Sequence, residues 1–321
     1  MRALITGITG QIGSYMAEYL LSKDYEVFGL NRRSSTINTD RIEHILDQIT
    51  LIPGDLGDSK SLISAVEQSM PDIIFNYAAQ SFVKVSWGQS EYTMDVNLLG
   101  VVRLLEAIRL VKPDARFYQS SSSECFGKVA EIPQTERTPF HPRSPYGVSK
   151  VAAYWAVVNY RESYDMFLCN GLLYNTESPR RGEEFVTKKI ARGVARIAFG
   201  LDKHITLGNL DAKRDWGHAK DSVRAMYLML QQDKPDDYVI STGATRSIRE
   251  FLTVAFKVIG INDWSKYVEQ DEKFMRPAEV DLLLGDASKA RNILGWTPEI
   301  SFEEMVREMV EHELKKLGLE H

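Results

Sequence analysis

A short apolar run, Ala3-Leu4-Ile5-Thr6, leads directly into Gly7-Ile8-Thr9-Gly10-Gln11-Ile12-Gly13 and then into the helix-like run Ser14 to Ser22. No other feature restricts the possible folds as much. Glycines at 7, 10 and 13 permit a tight turn, close approach of backbone to a pyrophosphate, and close packing of helix on strand. A strand, a glycine loop and a helix in that order predict a dinucleotide site. The rest of the first half agrees. Strand-like runs at 2–6, 25–30, 49–52, 72–76, 115–120 and 167–173 alternate with helical patterns, among them Ser59 to Ser69, Tyr92 to Leu110 and Pro145 to Tyr164. Such alternation implies a parallel sheet covered on both faces. The expected fold class is therefore α/β: a Rossmann-like, doubly wound parallel sheet over residues 1–174. A smaller mixed C-terminal lobe, 175–318, is expected to bind mainly substrate and to interleave partly with the first. Near the end, Ser301-Phe302-Glu303-Glu304 reads as a capping box, and Phe302, Met305, Val306, Met309 and Val310 form a helical stripe expected to pack in a core.

The end of the second strand bears on the choice of dinucleotide. An acidic residue there bonds a ribose 2′-hydroxyl, whereas an arginine accommodates a 2′-phosphate. This chain has Asn31-Arg32-Arg33-Ser34-Ser35, two guanidiniums and two hydroxyls with no acid. Guanidinium forks suit phosphate, so NADP is the expected cofactor.

The chemistry is expected between Tyr118 and Lys150. Tyr146 and Lys150 are four apart on a helix that starts at Pro145, so they share one face. An ammonium there favours the phenolate and brings the tyrosine toward service as a base. With the hydroxyl of Ser122 the set resembles the Ser/Thr-Tyr-Lys triad of short-chain dehydrogenases/reductases. Glu124 is the extra member. Hydride transfer alone needs no second carboxylate, whereas removal of a carbon-bound proton does. The pattern points to an oxidation coupled to an elimination.

Composition excludes several classes. The 321 residues are 44% hydrophobic and 26% charged, with net charge −5 and a pI near 5.8, which argues against a nucleic-acid or anionic-membrane surface. No run of about 18 apolar residues occurs, so neither a membrane span nor a signal peptide is expected. Cys125 and Cys169 are too few for a disulfide framework, which fits a reducing cytoplasm. The six histidines show no ligand spacing, so no metal is expected.

Longer stretches carry a closer resemblance. Asn31 to Ser35, Asn76-Tyr77-Ala78-Ala79-Gln80-Ser81, Val83-Lys84-Val85-Ser86, Ser178-Pro179-Arg180-Arg181-Gly182-Glu183 and the run from Gly208 to Asp221 are similar to those of the GDP-mannose 4,6-dehydratase family. That family belongs to the extended short-chain dehydrogenases/reductases. The similarity runs from about residue 2 to 300, and its Gly208–Asp221 portion is far more specific than any glycine motif. The resemblance implies a lyase that dehydrates GDP-mannose to GDP-4-dehydro-6-deoxy-mannose while recycling NADP, as in deoxysugar biosynthesis. It implies Ser122, Glu124, Tyr146 and Lys150 as catalytic residues. It implies cofactor contacts at Gly7, Ile8, Thr9, Gly10, Gln11, Ile12, Arg32, Arg33, Ser34, Ser35, Asp55, Leu56, Tyr77, Ala78, Ala79, Gln80, Ser81, Tyr92, Tyr146, Lys150, Thr176 and Arg181. For the GDP-sugar it implies Ser86, Ser122, Glu124, Tyr146, Asn175, Val186, Lys189, Arg214, Arg276 and Glu279. It also implies a homo-oligomer, a tetramer ahead of a dimer, in which the arginine-serine loop reaches the cofactor site of an adjoining subunit. Two positions depart from the family: Ile12 stands where an Asp is usual, and Thr176 where a His is usual. A sugar-nucleotide 4-epimerase or 4-keto reductase, or a dehydratase of another GDP-sugar, is the alternative function on the same fold.

Overall fold

The structure is a computed structural model that describes residues 1–36, 38–271, 273 and 282–320. Its centre is a seven-stranded sheet formed by β1 (Arg2–Thr6), β2 (Glu26–Asn31), β3 (Ile49–Pro53), β4 (Ile73–Asn76), β5 (Arg116–Ser122), β6 (Leu168–Leu173) and one later strand. Three short strands follow β6: β7 (Asn175–Glu177), β8 (Ile205–Leu207) and β9 (Lys213–Arg214). Two more are β10 (Trp216–His218) and β11 (Tyr238–Ile240). The order across the sheet is β11-β6-β5-β4-β1-β2-β3, with every neighbouring pair parallel. Interior strands such as Ile73–Asn76 and Leu168–Leu173 are buried along their whole length, as required of a parallel sheet with helices on both faces.

The helices are α1 (Gln11–Leu21), α2 (Ser59–Ser69), α3 (Ser90–Met94), α4 (Gly100–Val111), α5 (Pro145–Tyr164) and α6 (Val186–Ala198). Those that follow are α7 (Ala219–Met229), α8 (Ile248–Val258), α9 (Ser288–Leu294) and α10 (Phe302–Glu320). On one face, Met16 and Leu20 of α1 and Met226 and Met229 of α7 pack on Ile5 and Phe75. On the other, Leu62 of α2, Leu104 and Ile108 of α4, and Val157 of α5 pack on Leu4, Ile74 and Phe117. A third core joins α6, α8 and α10 around Trp216 and Phe251. The Met305–Val310 stripe lies in it, and the Ser301–Glu304 capping box is present.

Two features differ from the expectation. The run read as one helix from Tyr92 to Leu110 is α3 and α4 joined by a π-turn at Asp95–Leu99. The seventh strand, β11, pairs with β6 from far along the chain; three residues carry too little periodicity to mark it in a sequence. Strand order reverses between β1 and β4, and in open α/β sheets the crevice beyond that switch point receives the ligand.

Candidate active site

A cleft of about 1140 Å³ opens at the carboxyl ends of β1, β4 and β5. Its floor is the glycine loop. Gly7 has φ +65°, and a Cβ there would lie 2.8 Å from the Ala78 backbone nitrogen. At Gly13 a Cβ would come within 2.3 Å of the Gly7 carbonyl oxygen, so the helix could not approach the strand so closely with a side chain there. Gly10 is the N-cap of α1 and supplies no side-chain cap, leaving the helix's first N–H groups for an anion. This cradle fits a dinucleotide pyrophosphate.

Nearly all of the expected cofactor residues line that one cleft: the glycine loop, Arg32 to Ser35, Asp55, Leu56, Tyr77 to Ser81, Tyr92, Thr176 and Arg181. Ile8 is the exception. Its side chain is buried in the core and fills the space above Gly29, so only its backbone belongs to the loop. Arg32 reaches across to donate to the Tyr92 hydroxyl at 3.3 Å. Both departures, Ile12 and Thr176, face the cleft. The Thr176 hydroxyl donates back to the Tyr174 carbonyl at 3.3 Å.

The reacting end is built by β5 and α5. Ser122 ends β5 and caps the following short turn, its Oγ accepting from the Glu124 amide at 3.2 Å. That turn aims Ser122 and Glu124 into the same space. Opposite them α5 starts cleanly: Ser144 caps the Gly147 amide at 3.0 Å and Pro145 occupies the first turn. Tyr146 and Lys150 therefore stand one turn apart at the helix's beginning, and both line the cleft. The ammonium of Lys150 lies 5.8 Å from the Tyr146 ring centre and donates to the Ser120 carbonyl at 2.8 Å. Burial raises the Tyr146 phenol above its ordinary value; a hydrogen bond with Ser122 and the charge of Arg181 oppose that rise. Burial also lowers Lys150, to about 8. Ser122 and Arg181 both draw Tyr146 toward its anion, and the Lys150 ammonium one turn away is anchored on a carbonyl. Arg181 is held by the buried Glu177 carboxylate at 3.1 Å and by the Phe185 ring at 3.5 Å. Cys125 is buried and its thiol pushed up to about 12, as befits a packing residue.

Among the expected substrate residues, Asn175 joins Ser122, Glu124 and Tyr146 in the cleft. Ser86, Val186, Lys189 and Arg214 are not in its lining. Ser86 is buried and donates to the Val83 carbonyl at 2.6 Å. Lys189 donates to the Thr206 carbonyl at 2.6 Å, and Arg214 to the Lys213 carbonyl at 2.7 Å. Arg276 and Glu279 lie outside the described residues.

Gln11, expected as a cofactor contact, and Arg180, quoted within the 178–183 resemblance, also form a clamp. The Gln11 amide donates to the Thr176 carbonyl at 2.9 Å and accepts from Ser178 at 2.7 Å. Arg180 donates to Ser14 at 3.0 Å, pairs with Glu18 at 2.5 Å and lies over Tyr15. Together they stitch the 176–181 loop to α1, and only the pair of adjacent arginines hinted at it. Among the described residues no cluster of His, Cys, Asp or Glu could hold a metal ion, and no helix is long and apolar enough to cross a membrane.

The family model described as GDP-mannose 4,6 dehydratase matches residues 4–309. A GDP-mannose 4,6-dehydratase of Vibrio cholerae is 51% identical, covering 98% of this chain and 94% of its own. GDP-mannose 4,6 dehydratase 2 of Arabidopsis thaliana is 54% identical, with 98% and 87% covered. Among solved structures, a dTDP-glucose 4,6-dehydratase of Streptomyces venezuelae with NAD bound superposes with a TM-score of 0.88. It is 25% identical, over 99% of this chain and 98% of that one.

Proposed function

The chain belongs to the GDP-mannose 4,6-dehydratase family, and we propose that it converts GDP-α-D-mannose to GDP-4-dehydro-6-deoxy-α-D-mannose and water. The observation that carries this reading is the placement of Glu124 in one cleft with Ser122, Tyr146 and Lys150, facing a glycine cradle for a dinucleotide. A bound nicotinamide supplies a hydride acceptor for C4 of the sugar and later a donor for C6.

The residues of the chain manage the protons. Tyr146, bonded to Ser122, takes the proton from O4 as C4 is oxidised to a ketone. The ketone makes the neighbouring C5–H far more acidic than it is in the alcohol. Glu124, on the turn capped by Ser122, takes that proton. The C6 hydroxyl then leaves as water, with its proton supplied by the Glu124 carboxyl directly or through Ser122. Return of hydride to C6 leaves the cofactor unchanged. The proton that Tyr146 took from O4 then goes to C5, so both residues end as they began and the net change is the loss of one water. Asn175 adjoins the sugar end of the cleft. Ser86, Val186, Lys189, Arg214, Arg276 and Glu279 are assigned, with Asn175, to the GDP-sugar.

Incubation of the purified protein with GDP-mannose in deuterated water tests the reading. The expected product has lost one water and carries deuterium at C5. A 4-epimerase or 4-keto reductase, which needs no Glu124, would leave the water in place and C5 unlabelled.

The cofactor assigned is NADP. Arg32, Arg33, Ser34 and Ser35 are exposed at the cleft's rim, where a ribose 2′-phosphate would meet two guanidinium forks. Replacing both arginines with alanine should weaken NADP binding and spare NAD. Loss of a charge-assisted bond costs about 1.5–3 kcal/mol, so a tenfold or greater loss of preference is expected. An unchanged NADP/NAD affinity ratio would place 2′-phosphate recognition elsewhere.

The same exposed loop is assigned to a subunit interface in a homo-oligomer, where a phosphate from an adjoining cofactor would satisfy the guanidiniums. Light scattering with and without NADP should show a tetramer or a dimer; a strict monomer in both samples at micromolar concentration rejects the assembly. The reaction is assigned to the cytoplasm, where two buried free thiols stay reduced.

A further inference from the structure

Thr6, Asn76 and Gln119 are polar at positions where a sheet covered on both faces takes apolar residues. They stand opposite one another on the adjacent strands β1, β4 and β5, and none is more than 1% exposed. The residues two before them, Leu4, Ile74 and Phe117, share their face and belong to the core under α2, α4 and α5. The three side chains bond in a row. The Thr6 hydroxyl donates to Asn76 Oδ1 at 2.5 Å, and Asn76 Nδ2 donates to Gln119 Oε1 at 2.7 Å.

Both ends of the row meet the site. At one end the Thr6 oxygen accepts from the Tyr77 and Ala78 amides at 3.1 Å each, directly beside the glycine loop. At the other, Gln119 Nε2 donates to the Ser120 carbonyl at 3.3 Å. That carbonyl also accepts from the Lys150 ammonium. Buried polar side chains are costly unless bonded, and apolar residues of the same shape would hold a core equally well. What a bonded row adds is a fixed geometry.

We propose that Gln119 is a positioning residue for Lys150, and that the row Thr6–Asn76–Gln119 sets the separation between the dinucleotide loop and that lysine. Gln119 touches no reacting atom in this scheme. It fixes the carbonyl to which the ammonium is anchored, and Asn76 and Thr6 fix Gln119 against the strand that opens into the glycine loop.

Two readouts test this, and only the second rests on the dehydratase reading. In protein carrying carbon-13 at the lysine ε position, the Lys150 resonance is identified by its loss in Lys150→Met. It should move in Gln119→Met and stay in place in Val157→Ala, which trims the core on the same helix without touching the row. In turnover of GDP-mannose, Gln119→Met should lower kcat at least about tenfold with KM within about twofold. The double variant with Lys150→Met should be no slower than Lys150→Met alone, since the first change acts through the second residue. A Lys150 resonance that does not move overturns the proposal, whatever the protein turns over. So do effects that multiply in the double variant. Wild-type protein inert toward GDP-mannose would defeat the functional reading, and the resonance would still decide the role of Gln119. Should the Met variant not fold, Gln119→Asn keeps an amide but withdraws it from Ser120, and the same outcomes are read on it.

Discussion

Tyr146→Phe should stop the reaction before any reduced nicotinamide appears. The phenyl ring keeps its place in the first turn of α5, where the Ser144 cap and Pro145 hold the backbone. Only the hydroxyl that meets Ser122 is lost. No proton can then leave O4 toward that oxygen, and every later step depends on the C4 ketone. A positioned acid or base contributes about a hundred- to ten-thousand-fold, so turnover should fall by at least that much. Mixing the variant with cofactor and GDP-mannose should leave the nicotinamide absorbance flat. Reduced nicotinamide forming at the wild-type rate would show that O4 is deprotonated by another group.

Glu124→Gln divides the reaction at a different point. In the proposed mechanism oxidation at C4 relies on Tyr146, so reduced nicotinamide should still form. The amide cannot take the C5 proton, and dehydrated product should drop by about a hundred- to ten-thousand-fold. Deuterium from solvent should cease to enter C5 as well. Gln has the shape of Glu, and the backbone amide of residue 124 still bonds Ser122, so the turn is preserved. Product formed at near wild-type rate would remove Glu124 as the C5 base. The two variants together assign the hydride step and the elimination step to different side chains.

The sheet and the reacting end were legible because their signals are local. The glycine spacing at 7, 10 and 13, the buried strand runs, and Pro145 ahead of Tyr146 and Lys150 each dictate nearby geometry, and the three glycines, Tyr146 and Lys150 line one cleft. Strand β11 was not legible, because three residues gain their place from pairing with β6 rather than from any pattern of their own. The π-turn at Asp95–Leu99 is likewise invisible in an apolar periodicity that continues through it. The anchor of Lys150 was not legible. Spacing puts it on Tyr146's helix face, but the Ser120 carbonyl, a tertiary partner, decides where its charge points. Gln119 left little trace: it follows Phe117-Tyr118 and opens the polar run that continues through Ser120 to Glu124, so nothing local sets it apart from its neighbours.

During synthesis, β6 leaves the ribosome well before its neighbour β11, which lies at Tyr238–Ile240. At about 5–20 residues per second the wait lasts on the order of several seconds. Throughout it, the edge of Leu168–Leu173 that Tyr238–Ile240 will cover has no partner strand. The Arg161 guanidinium and the Asn170 amide also lack Asp237, which later receives them at 2.8 to 3.0 Å. An uncovered apolar edge is a template for pairing with a second chain. A nascent or prematurely terminated polypeptide that stops before residue 238 should therefore be prone to pair with another chain along that edge, even though its glycine loop and its Tyr-Lys pair are complete.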